Sequence, residues 1–262
     1  MIPTGLQYKA VCIFASPRTG SNLLVERLCK GLNTVHQLDT RPLYEYLSPH
    51  SYITDELKCG YVDPTHLLTR PAINGIDIDR LEKLDSIYDR NIVPVFKIFS
   101  NDHSTANRPY MHKHILNDNR VYKICLNRLD VKNQIYSYCI AMSTGVWHLR
   151  NDATPISQRI YRKLTVSQQT LDEIGTSVLM HWAWHAEHAK QVCDQTIWYA
   201  DINNTDFVNL GITSTDCDNV NMVKNQEDHQ DLAKLCIENL EEIDQYADRI
   251  SKSLAQISKD IA

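Results

Sequence analysis

Glycine and proline are scarce, 8 and 9 in 262 residues, which excludes a collagen-like or linker-rich architecture. Positive charge is not in excess. Against 27 Lys+Arg stand 32 Asp+Glu, a formal net charge of −5, so a broad nucleic-acid-binding face is not expected. No apolar run approaches the ~20 residues that cross a bilayer. Met1 to Lys9 is too short and too polar for a signal peptide ahead of the first apolar run. A cytoplasmic protein with no membrane partner is therefore expected. The eight cysteines lack any CxxC spacing, the closest pair being fourteen residues apart. Cys12 and Cys125 lie inside apolar runs, which favours buried reduced thiols over metal ligands or disulfides. What is present is an ordinary globular balance, 43% hydrophobic and 23% charged. That content rules out a disordered chain and is enough for one large domain over residues 1–262.

Strand-like apolar runs alternate with helical patterns. Residues 8–15, 92–99, 121–127 and 196–200 read as buried strands, with Pro94 limiting the regularity of the second. Leu24 and Leu28, four apart, place a helix directly after the first, and residues 131–143 place another after the third. Residues 157–191 read as one long helix or a pair, and 39–91 as a stretch with one or two short helices. From Leu232 the apolar residues follow a three/four spacing that marks a long amphipathic C-terminal helix, which would also permit a homodimer. The expected class is α/β, a three-layer fold with a central, mainly parallel sheet.

The first strand ends in Ser16-Pro17-Arg18-Thr19-Gly20-Ser21-Asn22 and a helix start follows. A loop of this kind is suited to an anion, because backbone N–H groups and the helix dipole point into it. Arg18, Thr19, Ser21 and Asn22 add side-chain donors, and a guanidinium can hold phosphate or sulfate by two parallel bonds. The loop is not a nucleotide P-loop. Ala15 stands where the first Gly of GxxxxGK[ST] belongs, Ser21 stands where Lys belongs, and no Mg²⁺ ligand is placed. The structural alternative is a plain helix-start turn capped by Ser16 or Thr19.

A second group follows the third strand. Arg128 comes directly after it, and Ser137 lies nine residues on in the next helix. Each alone is unremarkable. With the first loop they make two anion contacts at the same ends of parallel strands, where ligands of open α/β sheets bind. A ligand with two separated anionic groups fits this better than a single polyphosphate tail.

SPRTGSNLL at 16–24 resembles the 5′-phosphosulfate loop of sulfotransferases, and NRLDVKNQIYSYCIA at 127–141 resembles their 3′-phosphate segment. MSTGVWH at 142–148 is similar to the bacterial trehalose sulfotransferase type. FKIF at 96–99, WYADI at 198–202 and VKNQEDHQ at 223–230 add weaker matches in the same order. The resemblance implies a P-loop-like fold, 3′-phosphoadenosine 5′-phosphosulfate (PAPS) as sulfuryl donor with PAP as product, and no metal. It implies that Arg18, Thr19, Gly20, Ser21 and Asn22 hold the 5′-phosphosulfate, and that Arg128 and Ser137 hold the 3′-phosphate. Arg18 and Lys97 would stabilise the reacting group, and Trp147 would pack near the pocket. The acceptor would be a hydroxyl of a carbohydrate or small metabolite.

The base is less closely matched. Glu45, ahead of Tyr46-Leu47, corresponds to the family's Glu before two aromatics, with one residue more after Pro42. Asp39 and His36 stand behind it as alternatives. His181, His185 and His188 share one helix face at i, i+4 and i+7, a metal-like spacing that packing into the core explains equally well. Two other functions stay open: a nucleotide kinase with a degenerate P-loop, and a PAP-binding protein without catalysis.

Overall fold

The computed structural model describes residues 6–44, 51–53, 59–61, 92–99, 111–145, 155–160, 162–218, 220 and 228–259. Its centre is a parallel five-stranded sheet in the order β2-β5-β1-β6-β7. The strands are β1 (Ala10–Ala15), β2 (Asp39–Tyr44), β5 (Ile92–Phe99), β6 (Val121–Asn127) and β7 (Gln195–Trp198). A short antiparallel pair, β3 (Ser51–Ile53) and β4 (Cys59–Tyr61), forms a second sheet.

The uninterrupted apolar runs follow from burial on both faces. In β1, Val11, Ile13 and Ala15 pack with Leu24, Leu28 and Leu32 of α1 (Ser21–His36). Cys12 and Phe14 turn to the other face, where they meet Ile115 and Trp184. Phe14 stacks on Trp184 with ring centroids 4.7 Å apart. Each such side chain contributes about 1.5–3 kcal/mol when fully buried. Stability is thus concentrated in the middle of the sheet, and its rim is left to carry chemistry. A third cluster joins α2 (Val131–Thr144), α3 (Gln168–Trp184), α4 (His229–Cys236) and α5 (Leu240–Lys259). Among the described residues no helix is long and apolar enough to cross a membrane.

The three-layer α/β class expected from the sequence is the observed one, and β5 and β6 carry the expected bounds. Pro94 is tolerated inside β5 because the β1 pairing begins only at Val95, while Pro94 faces Arg41 of β2. Two expectations need correction. At the start of the stretch 39–91, residues 39–44 form an edge strand with Thr40 and Leu43 turned inward, and the short helices expected in that stretch fall largely outside the described residues. The helical reading of 157–191 begins only at Gln168, where Ser167 caps the helix. It then continues through a π-turn, His185–Ala189, to Val192. The single C-terminal helix is two helices. Leu164 bridges to Ile237 through Leu164 N–H to Cys236 O and Glu238 N–H to Leu164 O, and this interrupts the helical ladder.

Candidate functional site

The loop after β1, Arg128 after β6 and Tyr199 after β7 share one edge, because the three strands are parallel and adjacent. From β1 the chain leads toward β2 on one side, and from β6 toward β7 on the other. That reversal is where open α/β sheets place ligands.

Two residues of the loop have left-handed backbone: Arg18 at φ 63° and Gly20 at φ 80°. For Arg18 the conformation is costly, by about 1–3 kcal/mol, and needs support from its surroundings. The support is visible. Arg128 Nη1 donates to Arg18 O at 3.0 Å. Gln134 Nε2 donates to Ser16 Oγ at 2.7 Å and to Pro17 O at 2.5 Å. Thr19 Oγ1 donates to Ser16 O at 2.8 Å. Ser16 and Thr19 are thus engaged within the loop, and no side chain caps α1. Its first turn contains no acidic residue, and Ser21 and Asn22 are buried there. This is the polarity an anion requires.

Gln134 and Ser137 lie three apart on α2 and face the loop together, as helical neighbours do. Arg18 Nε donates to Ser137 Oγ at 3.1 Å. The Tyr199 ring lies between the two halves of the site. The Arg128 guanidinium sits 4.3 Å from its centroid, a cation–π contact. A Cβ at Gly20 would fall 2.8 Å from Tyr199 Cε2. Gly20→Ala is therefore expected to strain the turn and displace Tyr199. At a cost of about 1–3 kcal/mol, and roughly 2–4 °C per kcal/mol, its Tm should fall by several degrees in a thermal melt.

Arg128 is only 5% exposed, and its Nε is buried with no hydrogen-bond partner. Burial pushes its pKa down. Burial, and then the Arg128 charge, push Arg18 down to about 10, so both remain cations near neutrality. His229, the first residue of α4, lies within their field. Its pKa falls to about 4, through burial first and then through Arg128 and Arg18.

Arg18, Thr19, Gly20, Ser21, Asn22, Arg128 and Ser137 are thus gathered at one rim. Lys97 is neither at an edge nor on the surface. It is 4% exposed on interior strand β5, with Nζ 4.7 Å from the Phe99 ring centroid. Phe99 pairs with Ala15, the residue before the loop, so this ammonium reaches toward the same rim. His36 and Asp39 do not belong to it. His36 ends α1, roughly 22 Å along the axis from the loop at about 1.5 Å per residue, and its Nε2 is 2.6 Å from Leu210 O. Asp39 opens β2 on the opposite edge and pairs with Arg41 at 3.0 Å. Glu45 and Trp147 lie outside the described residues; Tyr44, just before Glu45, closes β2 on the rim side.

The three histidines serve separate packing roles. His181 Nε2 lies 3.0 Å from Leu126 O, His185 packs edge-on against Trp182, and His188 is 3.4 Å from Glu187. Among the described residues no group of three His, Cys, Asp or Glu is arranged to hold a metal.

No family model and no curated protein matches this chain. The site therefore rests on its own geometry. Three of its members had escaped the sequence reading. Gln134 was signalled by its i, i+3 relation to Ser137 and Tyr199 by the WYADI match at 198–202; the strand ends at Trp198, two residues short of the expected 196–200, so Tyr199 follows it as Arg128 follows β6. His229 lies within the VKNQEDHQ match at 223–230, but no role was attached to it there, and it is the packing of α4 on α2 that brings the start of this helix into the field of the arginines.

Proposed function

We propose that this protein is a PAPS-dependent sulfotransferase acting on a hydroxyl of a carbohydrate or small metabolite. One observation carries the reading: two buried or partly buried guanidiniums, on neighbouring strand ends, are bound into one unit through Arg18 O and Ser137. Such a pair suits a ligand with two separated anionic groups. The unpartnered Nε of Arg128 and the uncapped first turn of α1 fit a nucleotide that carries a 3′-phosphate and a 5′-phosphosulfate. Ser21 in place of the P-loop Lys speaks against a nucleotide kinase.

The donor supplies a sulfuryl group already linked to a phosphate leaving group. In-line displacement forms the acceptor O–S bond as the bridging S–O bond breaks, and negative charge grows on the bridging oxygen. Arg18 and the N–H groups of Gly20, Ser21 and Asn22 meet that charge, with Lys97 as a second cation; one such preorganised donor is worth about 2.7–4 kcal/mol. Arg128 and Ser137 hold the 3′-phosphate. Glu45 orients the acceptor hydroxyl and takes its proton.

Thermal melting with PAP, ATP, GTP and NAD tests this directly. PAP alone should stabilise the protein, by about 2.7 kcal/mol at a hundred times its Kd. Stabilisation by ATP without PAP would point to a kinase. PAP binding with no transfer of labelled sulfuryl to any hydroxyl would point to a binding protein.

A further inference from the structure

The strand that carries Arg128 runs past the end of its neighbour. β1 and β6 stay in register from Ala10 and Val121 to Phe14 and Cys125, after which β1 turns into the anion loop. Leu126 and Asn127, the last residues of β6, keep their register with β7. Both are fully buried, so their polar groups need partners inside the protein. One side chain of α3 serves two of them. His181 Nε2 lies 3.0 Å from Leu126 O and 2.9 Å from Asn127 Oδ1. Both oxygens are acceptors, so this nitrogen carries a proton and donates to both. Asn127 Oδ1 also accepts from the Cys125 thiol at 3.7 Å, a weak donor, while Asn127 Nδ2 is buried with no hydrogen-bond partner. The imidazole is thus the strong partner that orients this amide. The same helix also reaches β1. Trp184, three residues on and on the same face, stacks on Phe14 at 4.7 Å. Behind it, α3 lies close against α5, where the Tyr246 ring occupies the place that a Cβ at Gly175 would need. His181 therefore links a well-fixed helix to the exit of β6, one residue before Arg128.

We propose that His181 is a positioning residue of the anion site, acting through Leu126 and Asn127 on the direction in which Arg128 leaves the sheet. The inference rests on the reading of Arg128 as the residue that holds a nucleotide 3′-phosphate. Arg128 has three tasks at once. It donates to Arg18 O at 3.0 Å, stacks on Tyr199 and keeps its buried Nε for a ligand. A rigid fork that meets several partners tolerates little error in where its backbone starts. The bonds from His181 hold that starting point on the side where β1 has turned away. A histidine that only filled space in the core would treat all nucleotides alike when removed. One that aims Arg128 would act selectively on ligands with a 3′-phosphate.

The test is calorimetric titration of the full chain with PAP and with AMP, which lacks the 3′-phosphate. Wild type is compared with His181→Phe, which keeps a ring and loses the donor, and with Asn127→Ala, which removes the amide that the imidazole holds. The wild type should prefer PAP. His181→Phe should lose about five- to tenfold in PAP affinity, with AMP affinity unchanged, so that its preference for the 3′-phosphate narrows by that factor. Asn127→Ala keeps the bond to Leu126 O and should narrow the preference in the same direction by less. It also carries the test if His181→Phe does not fold. PAP and AMP weakened by one common factor, or an unchanged preference in the folded variants, would overturn the role of His181 and leave the sulfotransferase reading intact. A wild type that binds PAP no better than AMP would overturn the 3′-phosphate role of Arg128 and this inference with it.

Discussion

Arg128→Ala is expected to weaken PAP binding by about 100- to 1,000-fold, or roughly 3–4 kcal/mol, with little change in stability. The large effect on binding has two sources. A charge-assisted contact to phosphate is worth about 1.5–3 kcal/mol, and Arg128 also holds the loop through Arg18 O at 3.0 Å. The small effect on stability follows from the balance of electrostatics. The variant loses that bond and the stack on Tyr199. It also removes a buried charge that repels Arg18. Arg128→Lys should not restore binding, since an ammonium lacks the planar fork that donates and stacks at once. Calorimetry with PAP checks both variants, and a Kd within threefold of wild type for Arg128→Ala would remove this residue from the site.

Arg27→Ala should be the most destabilising of the changes considered, by about 3 kcal/mol, a fall in Tm of roughly 6–12 °C. Arg27 lies on α1 and is 3% exposed. Its Nη2 donates to Asn203 O and Ser214 O, each at 2.9 Å, and Nη1 lies 3.6 Å from Asp218. One guanidinium thus fastens the chain after β7 to the helix that begins at the anion loop. The contact is close: a Cβ at Gly31 would lie 2.5 Å from Ile212 Cγ2. Alanine leaves two carbonyls without their charged donor. Tyr199, in the same segment, loses its fixed place, so PAP affinity should fall too. Denaturant melts measure the first effect. A loss below about 1 kcal/mol would mean that Ile202, Phe207, Leu210 and Ile212 hold the segment by apolar packing alone.

The sheet was legible because its interior strands are buried on both faces and read as unbroken apolar runs, as in IVPVFKIF and VYKICLN. The edge strand β2, DTRPLY, buries Thr40 and Leu43 and leaves Asp39 exposed, so no run announced it. At the site, Arg18 and Ser137 could be named because each follows a strand within one local pattern. Their hydrogen bond spans 119 positions and exists only once β1 and β6 are neighbours. His36 and Asp39 were near Glu45 in sequence, but α1 runs antiparallel to the strands and carries the chain to the far edge before β2 returns. Gln134 was hidden because a glutamine on a helix has many uses, and only the folded loop shows that it grips Ser16 and Pro17.

Helix α2 is held from both sides. Gln134 and Ser137 face the loop, while Tyr136 donates to Asp244 of α5 and Lys132 lies 3.6 Å from both Asp244 and Asp248. The lysine pairs are partly exposed and weaken as ionic strength rises. The tyrosine bond does not depend on a second charge, and burial together with Asp244 raises the Tyr136 pKa and keeps its proton in place. Added electrolyte should therefore screen the attraction between the arginines and a phosphate while the hydroxyl of Ser137 stays where it is. Ionic strength acts here chiefly on the ligand, while the Tyr136–Asp244 bond keeps α2 in place.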